Sequence, residues 1–266
     1  LGAALDWVVP GVARGDIAGW GAVAKSAQGF ARNVSPLAGA RCRGGIPSLP
    51  GMNERRRYAP SGAEAEFQPG SRRRVLRNLV GIRKVGEMNA AETRALLEAA
   101  DWAVQTYSEG HRFTAEDLRQ LHRIWLGNIY PWAGDYRAVN LAKGGFHFAA
   151  AREVARLMRE FEGRVLTSFT PCRPAPAAGV SGVVEALAVV HAELVLIHPF
   201  REGNGRLARL LSALMGYQAG IATLDLADLS RGGRKRYIAA IHAAVGRDYL
   251  PMQVLFERAI GRSSGK

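Results

Sequence analysis

Cysteine is nearly absent: only Cys42 and Cys172 occur, in unrelated contexts and without metal-ligand spacing. That excludes a disulfide framework and a thiolate zinc site, and it suits a reducing, cytoplasmic setting. No apolar run approaches the ~20 residues that a bilayer crossing needs, so a membrane protein is not expected. Asp6 and Asp16 interrupt the apolar N-terminal stretch and no basic segment precedes it, which argues against a signal peptide. Acidic residues are scarce, with 23 Asp and Glu against 36 Lys and Arg, a formal net charge of +13. Such an imbalance attracts polyanions or an acidic protein partner. Much of the excess lies in runs such as Arg55-Arg56-Arg57 and Arg72-Arg73-Arg74, which more often form solvated faces, so specific nucleic-acid binding is not expected. What remains, 48% hydrophobic and 22% charged over 266 residues, can bury a full core as one large domain.

Residues 1–70 sustain neither helical nor alternating periodicity and read as a loosely ordered basic extension. The more ordinary polar sequence from Met52 raises the expectation that residues 1–51 reflect a misassigned start. Further on, Asn89-x-x-Glu92 has capping-box spacing ahead of Leu96, Leu97, Ala100 and Val104. Thr114 is placed to cap a second helix that carries Leu118, Leu121, His122 and Trp125 and stops at Gly127. Tyr136–Leu141 and Phe146–Phe148 read as short strands around the turn Lys143-Gly144-Gly145. Helical spacing returns with Val154, Leu157, Met158, Phe161 and Val165, before a loop with Pro171, Pro174 and Pro176. A long apolar helix over Val183–Ile197, a second from near Gly205, and two more around Arg234–Val245 and Pro251–Ile260 complete a mainly α chain without internal repeats.

The chemistry concentrates between the two central helices, in His198-Pro-Phe-Arg-Glu202-Gly203-Asn204-Gly205-Arg206-Leu-Ala-Arg209. Glycines let backbone approach a ligand, and the unpaired amides of a helix N-terminus bind phosphate. Arg206 and Arg209, three apart on the first turn, add charge-assisted bonds suited to a di- or triphosphate. A carboxylate such as Glu202 beside phosphate needs a hard cation between them, which points to Mg²⁺. His198 at the other lip is a general base for an attacking hydroxyl. Singly, each residue is more often structural; a base, a carboxylate, a glycine loop and two arginines within so short a stretch are much less often coincidental. Phe200 reads as core, anchoring the loop.

The segment resembles the Fic (Fido) family signature, His-x-Phe-x-(Asp/Glu)-Gly-Asn-Gly-Arg-x-x-Arg, at every fixed position. Trp132-Ala-Gly134, Tyr136-Arg137, Val139-Asn140 and Lys143-Gly-Gly145 are similar to the family's flap, so the likeness defines a catalytic domain over residues 75–262 and leaves the first 70 outside it. The resemblance implies a Fic-type helical bundle with a short β-hairpin flap over the active site, and transfer of AMP from ATP to a Ser, Thr or Tyr hydroxyl of a target protein. It further implies His198 as base, Glu202 on Mg²⁺, and Gly203 to Gly205 as anion hole with the Asn204 side chain on phosphate. Arg206 and Arg209 would then hold the leaving phosphates, and Lys143, Gly144, Gly145 and Phe146 would dock the target by strand addition. The inhibitory pattern of many family members, (Ser/Thr)-x-x-x-Glu-(Gly/Asn), is not matched: Glu109-Gly110 is preceded at the critical position by Gln105, and Glu257 is followed by Arg258. This implies either a constitutively competent enzyme or a toxin held by a separate small, acidic antitoxin.

Other readings compete. Gly203-Asn-Gly205-Arg-Leu-Ala208 formally matches a dinucleotide fingerprint with Asp225 beyond it, but a helix rather than a strand precedes it. A metal site on His191 and His198 lacks a third ligand, and His191 reads as a packed helix residue. A related nucleotide- or phosphate-transferring enzyme, or a non-catalytic nucleotide-binding module, would keep the same loop.

Overall fold

The computed structural model describes residues 63–173, 178–221, 224–229 and 233–264. Cys42, Met52, Arg55-Arg56-Arg57, Pro174, Pro176 and the whole 1–51 segment lie outside the described residues. The chain is mainly α, as expected. It runs α1 (Val85–Thr106), α2 (Ala115–Leu126), β1 (Ala142–Lys143), β2 (Phe146–His147), α3 (Val154–Phe161), α4 (Gly179–Ile197), α5 (Asn204–Gln218), α6 (Arg234–Ala244) and α7 (Leu250–Ser264). After α3 the chain stays helical through a π turn at Glu162–Leu166 and a last turn at Thr167–Phe169.

Apolar residues cover α4 on nearly every side, so only a position inside other helices removes them all from water. Val183, Val184, Leu187, Val190, Leu194 and Ile197 are buried, and α3, α5, α6 and α7 pack around them. Contrary to expectation, α4 is long and apolar enough by length and composition to cross a bilayer, being 19 residues with a mean hydropathy of 2.0. Its burial inside the bundle accounts for that composition equally well. α1 and α2 pair beside this core, and α2 presents Leu118, Leu121, His122, Trp125 and Leu126 inward.

Thr114 caps α2 as its sequence predicts. Its hydroxyl accepts from Asp117 N at 3.1 Å while Asp117 Oδ2 accepts from Thr114 N at 2.8 Å. Gly127 closes the helix in a right-handed conformation, where a side chain would place Cβ 2.5 Å from Arg123 O. The Asn89 cap is overturned: α1 starts a turn earlier, at Val85, because burying Met88 extends it, and Glu92 turns into the core instead of back to the helix end. The strand expected over Tyr136–Leu141 is also absent. The strands pair Ala142↔His147 and Lys143↔Phe146, with one further bond from Phe148 N to Leu141 O, and Gly144 and Gly145 are both left-handed (φ 59° and 84°) as a tight hairpin requires. Upstream of that hairpin the backbone bonds to the bundle instead, with Arg137 N donating to Pro199 O.

Residues 63–70 connect to the rest at Phe67, which bridges to Leu76, and at Glu64, which accepts from Arg201 Nε at its carbonyl and from Ala138 N at Oε1, both at 2.7 Å.

The two caps make opposite predictions in chemical denaturation. Thr114→Ala should lower the unfolding free energy by about 1 kcal/mol, whereas Asn89→Ala, inside α1, should change it by less than about 0.5 kcal/mol. Equal losses would restore Asn89 as a cap.

Candidate active site

His198 ends α4 in the left-handed conformation (φ 53°), where Pro199 prevents the helix from continuing. Arg137 holds this sharp turn. Its guanidinium, 2% exposed, donates to His198 O at 2.6 Å, Val139 O at 2.7 Å, Ala149 O at 2.5 Å and Ile197 O at 3.3 Å. A cation at the negative end of a helix dipole, with every nitrogen bonded to a carbonyl, replaces bonds that α4 loses by stopping. The His198 ring is fixed as well: Nδ1 bonds a pure acceptor, Val195 O, at 3.0 Å and must carry the proton. Nε2 therefore keeps its lone pair. Phe148 stacks on the ring at 3.6 Å, and burial pulls the imidazole pKa down to about 4, only partly opposed by the Val195 bond and Glu202, so it is neutral at pH 7.

The loop after it is built around Phe200, fully buried and stacked on His122 at 4.0 Å. His122 accepts from Gly134 N at Nδ1 (2.8 Å) and so donates from Nε2 to Glu202 O (3.1 Å), joining α2, the Trp132–Gly134 turn and the loop. Asn204 is directed inward rather than onto a ligand: its Oδ1 accepts from Phe200 N at 2.8 Å and its Nδ2 donates to Phe200 O at 2.7 Å. Both ends of the amide are used to shape the loop, because burial at 2% exposure leaves no solvent to satisfy them. Gly203 caps α5 with φ 84°, and a Cβ there would lie 2.6 Å from the Trp125 ring. Asn204 and Gly205 open α5, so their amides are first-turn donors of the kind that binds anions.

Glu202 stays on the rim, its side chain 47% exposed although packed by loop atoms. That packing pushes its carboxyl up, but Arg206, the Gly203 amide, Lys143 and Arg201 together hold it below the usual carboxylate range. Arg206 lies almost wholly inside. It pairs with Glu92 Oε2 at 2.7 Å, lies 3.6 Å from Glu202 Oε1 and sits over Trp125 at 4.7 Å. Arg209, one turn on, donates to Leu229 O at 3.2 Å, and burial lowers its pKa to about 10. His191 proves to be the packed residue expected, bonded to Ser212 Oγ and Tyr237 Oη. Since Ser212 gives its proton to Ala208 O, His191 donates from Nδ1 and accepts the Tyr237 hydroxyl at Nε2.

The hairpin closes over His198 through Phe148, while Phe146 stacks on His242 of α6 at 4.9 Å; Lys143, Gly144 and Gly145 form its exposed tip. The structure thus brings His198, Glu202, Gly203, Gly205, Arg206, Arg209 and the hairpin to one place. Sequence reading missed Glu92, Arg137 and Trp125 as parts of it. Charged residues at core spacing, Glu92 on the inward face of a helix above all, were the available signal.

Residues 112–215 match the model of the Fic/DOC family. A relative named probable protein adenylyltransferase y4lH, from Sinorhizobium fredii, is 32% identical over 146 residues, covering 53% of this chain and 70% of that protein. The chain belongs to the Fic/DOC family. A second relative, protein adenylyltransferase fic-1 of Caenorhabditis briggsae, is 31% identical over 54% of this chain but only 26% of its own length, so the likeness there spans about a quarter of that protein. Among solved structures, the BepC protein of Bartonella tribocorum with bound AMPPNP superposes with a TM-score of 0.57 at 22% identity, covering 69% of this chain and 91% of that one. That agreement is in the Fic fold. It also removes the dinucleotide reading, since the only sheet among the described residues is the two-stranded hairpin.

Two outcomes follow from this geometry. Gly203→Ala combines left-handed strain with the Trp125 clash and should cost about 2–5 kcal/mol of stability, while Gly205→Ala, whose nearest neighbour is Arg209 at 3.6 Å, should stay within about 1 kcal/mol of wild type; urea titration compares them. Burial also depresses His122 to about 4, His191 to about 3 and His198 to about 4, so below pH 6.5 the unfolded chain takes up protons that the native state refuses. Stability should be full above pH 6.5 and fall towards pH 4, by up to about 1.4 kcal/mol per unit for each histidine. A urea midpoint that rises on acidification from pH 7 to 5 would contradict these neutral forms.

Proposed function

We propose that this chain transfers AMP from ATP to a Ser, Thr or Tyr hydroxyl of a target protein and releases pyrophosphate. The observation that carries this reading is the locked tautomer of His198: Nδ1–H is committed to Val195 O, so Nε2 is an acceptor beside an α5 N-terminus flanked by two arginines. In this reading the target hydroxyl gives its proton to His198 Nε2 as its oxygen attacks the α-phosphorus. The bond from that phosphorus to the bridging oxygen breaks, and the pyrophosphate leaves with the electron pair, its charge met by Arg206 and Arg209. The curated relatives named protein adenylyltransferases support the reaction class.

Glu202 suits Mg²⁺ as a half-exposed carboxylate held ionised beside the anion site. No cluster of three metal-ligating side chains occurs among the described residues, so the remaining ligands would be phosphate oxygens and water, the usual company of Mg²⁺. When bound, the ion would offset phosphate charge. The hairpin tip at Lys143, Gly144 and Gly145, with Phe146 behind it, would align an extended target segment by strand addition. The charge of +13 suits a small acidic antitoxin as regulator, and the buried Cys172 thiol, raised to about 11 by burial, suits a reducing cytoplasm. Residues 75–262 would form the catalytic domain.

Incubation with Mg²⁺, lysate and ATP labelled at the α- or γ-phosphate tests the reaction. Label should enter protein from the α position alone, and His198→Ala should lower the rate about 10²- to 10⁴-fold. Label entering from the γ position would mean phosphorylation instead; no label would leave a nucleotide-binding module, and undiminished labelling by His198→Ala would remove that residue as the base.

A further inference from the structure

We infer that Glu92, on α1 and outside the loop motif, is a positioning residue for Arg206 that leaves one guanidinium nitrogen for a nucleotide phosphate beyond the α position. This rests on the AMP-transfer reading only in naming a nucleoside triphosphate as the ligand. Glu92 is 4% exposed, and both of its oxygens are occupied. Oε2 takes Arg206 Nη2 at 2.7 Å and Oε1 accepts the Tyr130 hydroxyl at 2.6 Å. Its carbonyl accepts Trp125 Nε1 at 2.8 Å, and the same indole lies under the Arg206 guanidinium at 4.7 Å and blocks any side chain at Gly203. One glutamate thus fixes the cation directly and also the ring on which the cation rests.

Arg206 Nη1 is buried and, among the described residues, meets no acceptor. A charged donor shut away from both water and a partner is costly, and such a group in a ligand site marks where an acceptor belongs. A phosphate oxygen matches it in charge and hydrogen-bonding sense. Glu92 does not compete for that place, because it engages the other nitrogen and is itself tethered by Tyr130. Removing its charge frees the guanidinium to reorient, so the phosphate site loses its preset geometry although Arg206 remains.

Equilibrium binding of ATP and of AMP to the full chain with Mg²⁺ tests this without turnover, with thermal midpoints to verify folding. Glu92→Gln keeps the shape and should weaken ATP binding about tenfold, the loss of one charge-assisted contact, while AMP, lacking the outer phosphates, changes less than about twofold. Tyr130→Phe should shift ATP the same way by less, and it decides the matter alone if Glu92→Gln fails to fold. In an Arg206→Gln background Glu92→Gln should have no further effect on ATP. The inference is overturned by unchanged or tighter ATP binding in Glu92→Gln, by equal losses for ATP and AMP, by additive effects in the double variant, or by a wild type that does not prefer ATP to AMP. Glu92-dependent ATP preference without AMP transfer to protein would sink the proposed activity and keep this role.

Discussion

The turn at His198 is the constraint on which the site depends. An apolar helix buried on nearly all sides stops at its C-terminus without exposing its last carbonyls, and the Arg137 guanidinium takes up four of the surrounding acceptors. A buried cation that forms no salt bridge among the described residues is costly unless its nitrogens find acceptors, and each nitrogen of Arg137 finds at least one. Here it also couples distant parts: the same side chain bonds the residue with the reactive ring, the segment before the hairpin and the segment after it. The stop of α4, the position of the base and the closure of the flap are therefore one event.

Around this turn the polar side chains divide by burial. His122, His191 and His198 are neutral because burial penalises the charged ring, and each has its tautomer set by a neighbour that can only accept or only donate. His191 is a strut between helices, and His122 ties α2 to the Trp132–Gly134 turn and the loop. His198 alone of the three has one ring nitrogen committed to backbone and the other left as an acceptor at the site. The arginines divide similarly: Arg137 is consumed by structure, whereas Arg206 is half consumed, by Glu92, and keeps a nitrogen to offer.

The loop shows how a motif mixes chemistry with scaffolding. Gly203 is dictated by a left-handed backbone pressed on an indole, and Asn204 by the need to bond both ends of Phe200's peptide groups. The first requirement is not visible from the loop alone, since Trp125 lies on α2. Glu202, by contrast, is held on the rim by the same backbone and remains accessible. Fixed spacing in such a segment reflects backbone geometry as much as ligand contact.

Periodicity and composition alone determined the mainly α character, the Thr114 cap, the glycine hairpin and the grouping of His198 with Glu202, Arg206 and Arg209, because these are local properties written in neighbouring residues. The Asn89 cap failed since burial of Met88 and Glu92, a long-range effect, outweighed local capping. The strand over Tyr136–Leu141 failed because only Leu141, which accepts from Phe148 N, reaches the opposite arm, while Arg137 N is taken by Pro199 O in the bundle. Only the tertiary structure decided the tautomer of His198, the inward turn of Asn204 and the roles of Arg137 and Glu92. Arg137 and Glu92 meet their partners across tens of residues, and even the bonds that fix His198 and Asn204, three and four residues apart, form only where the turn bends the backbone to bring donor and acceptor together; a linear pattern carries the types of those groups but not their meeting.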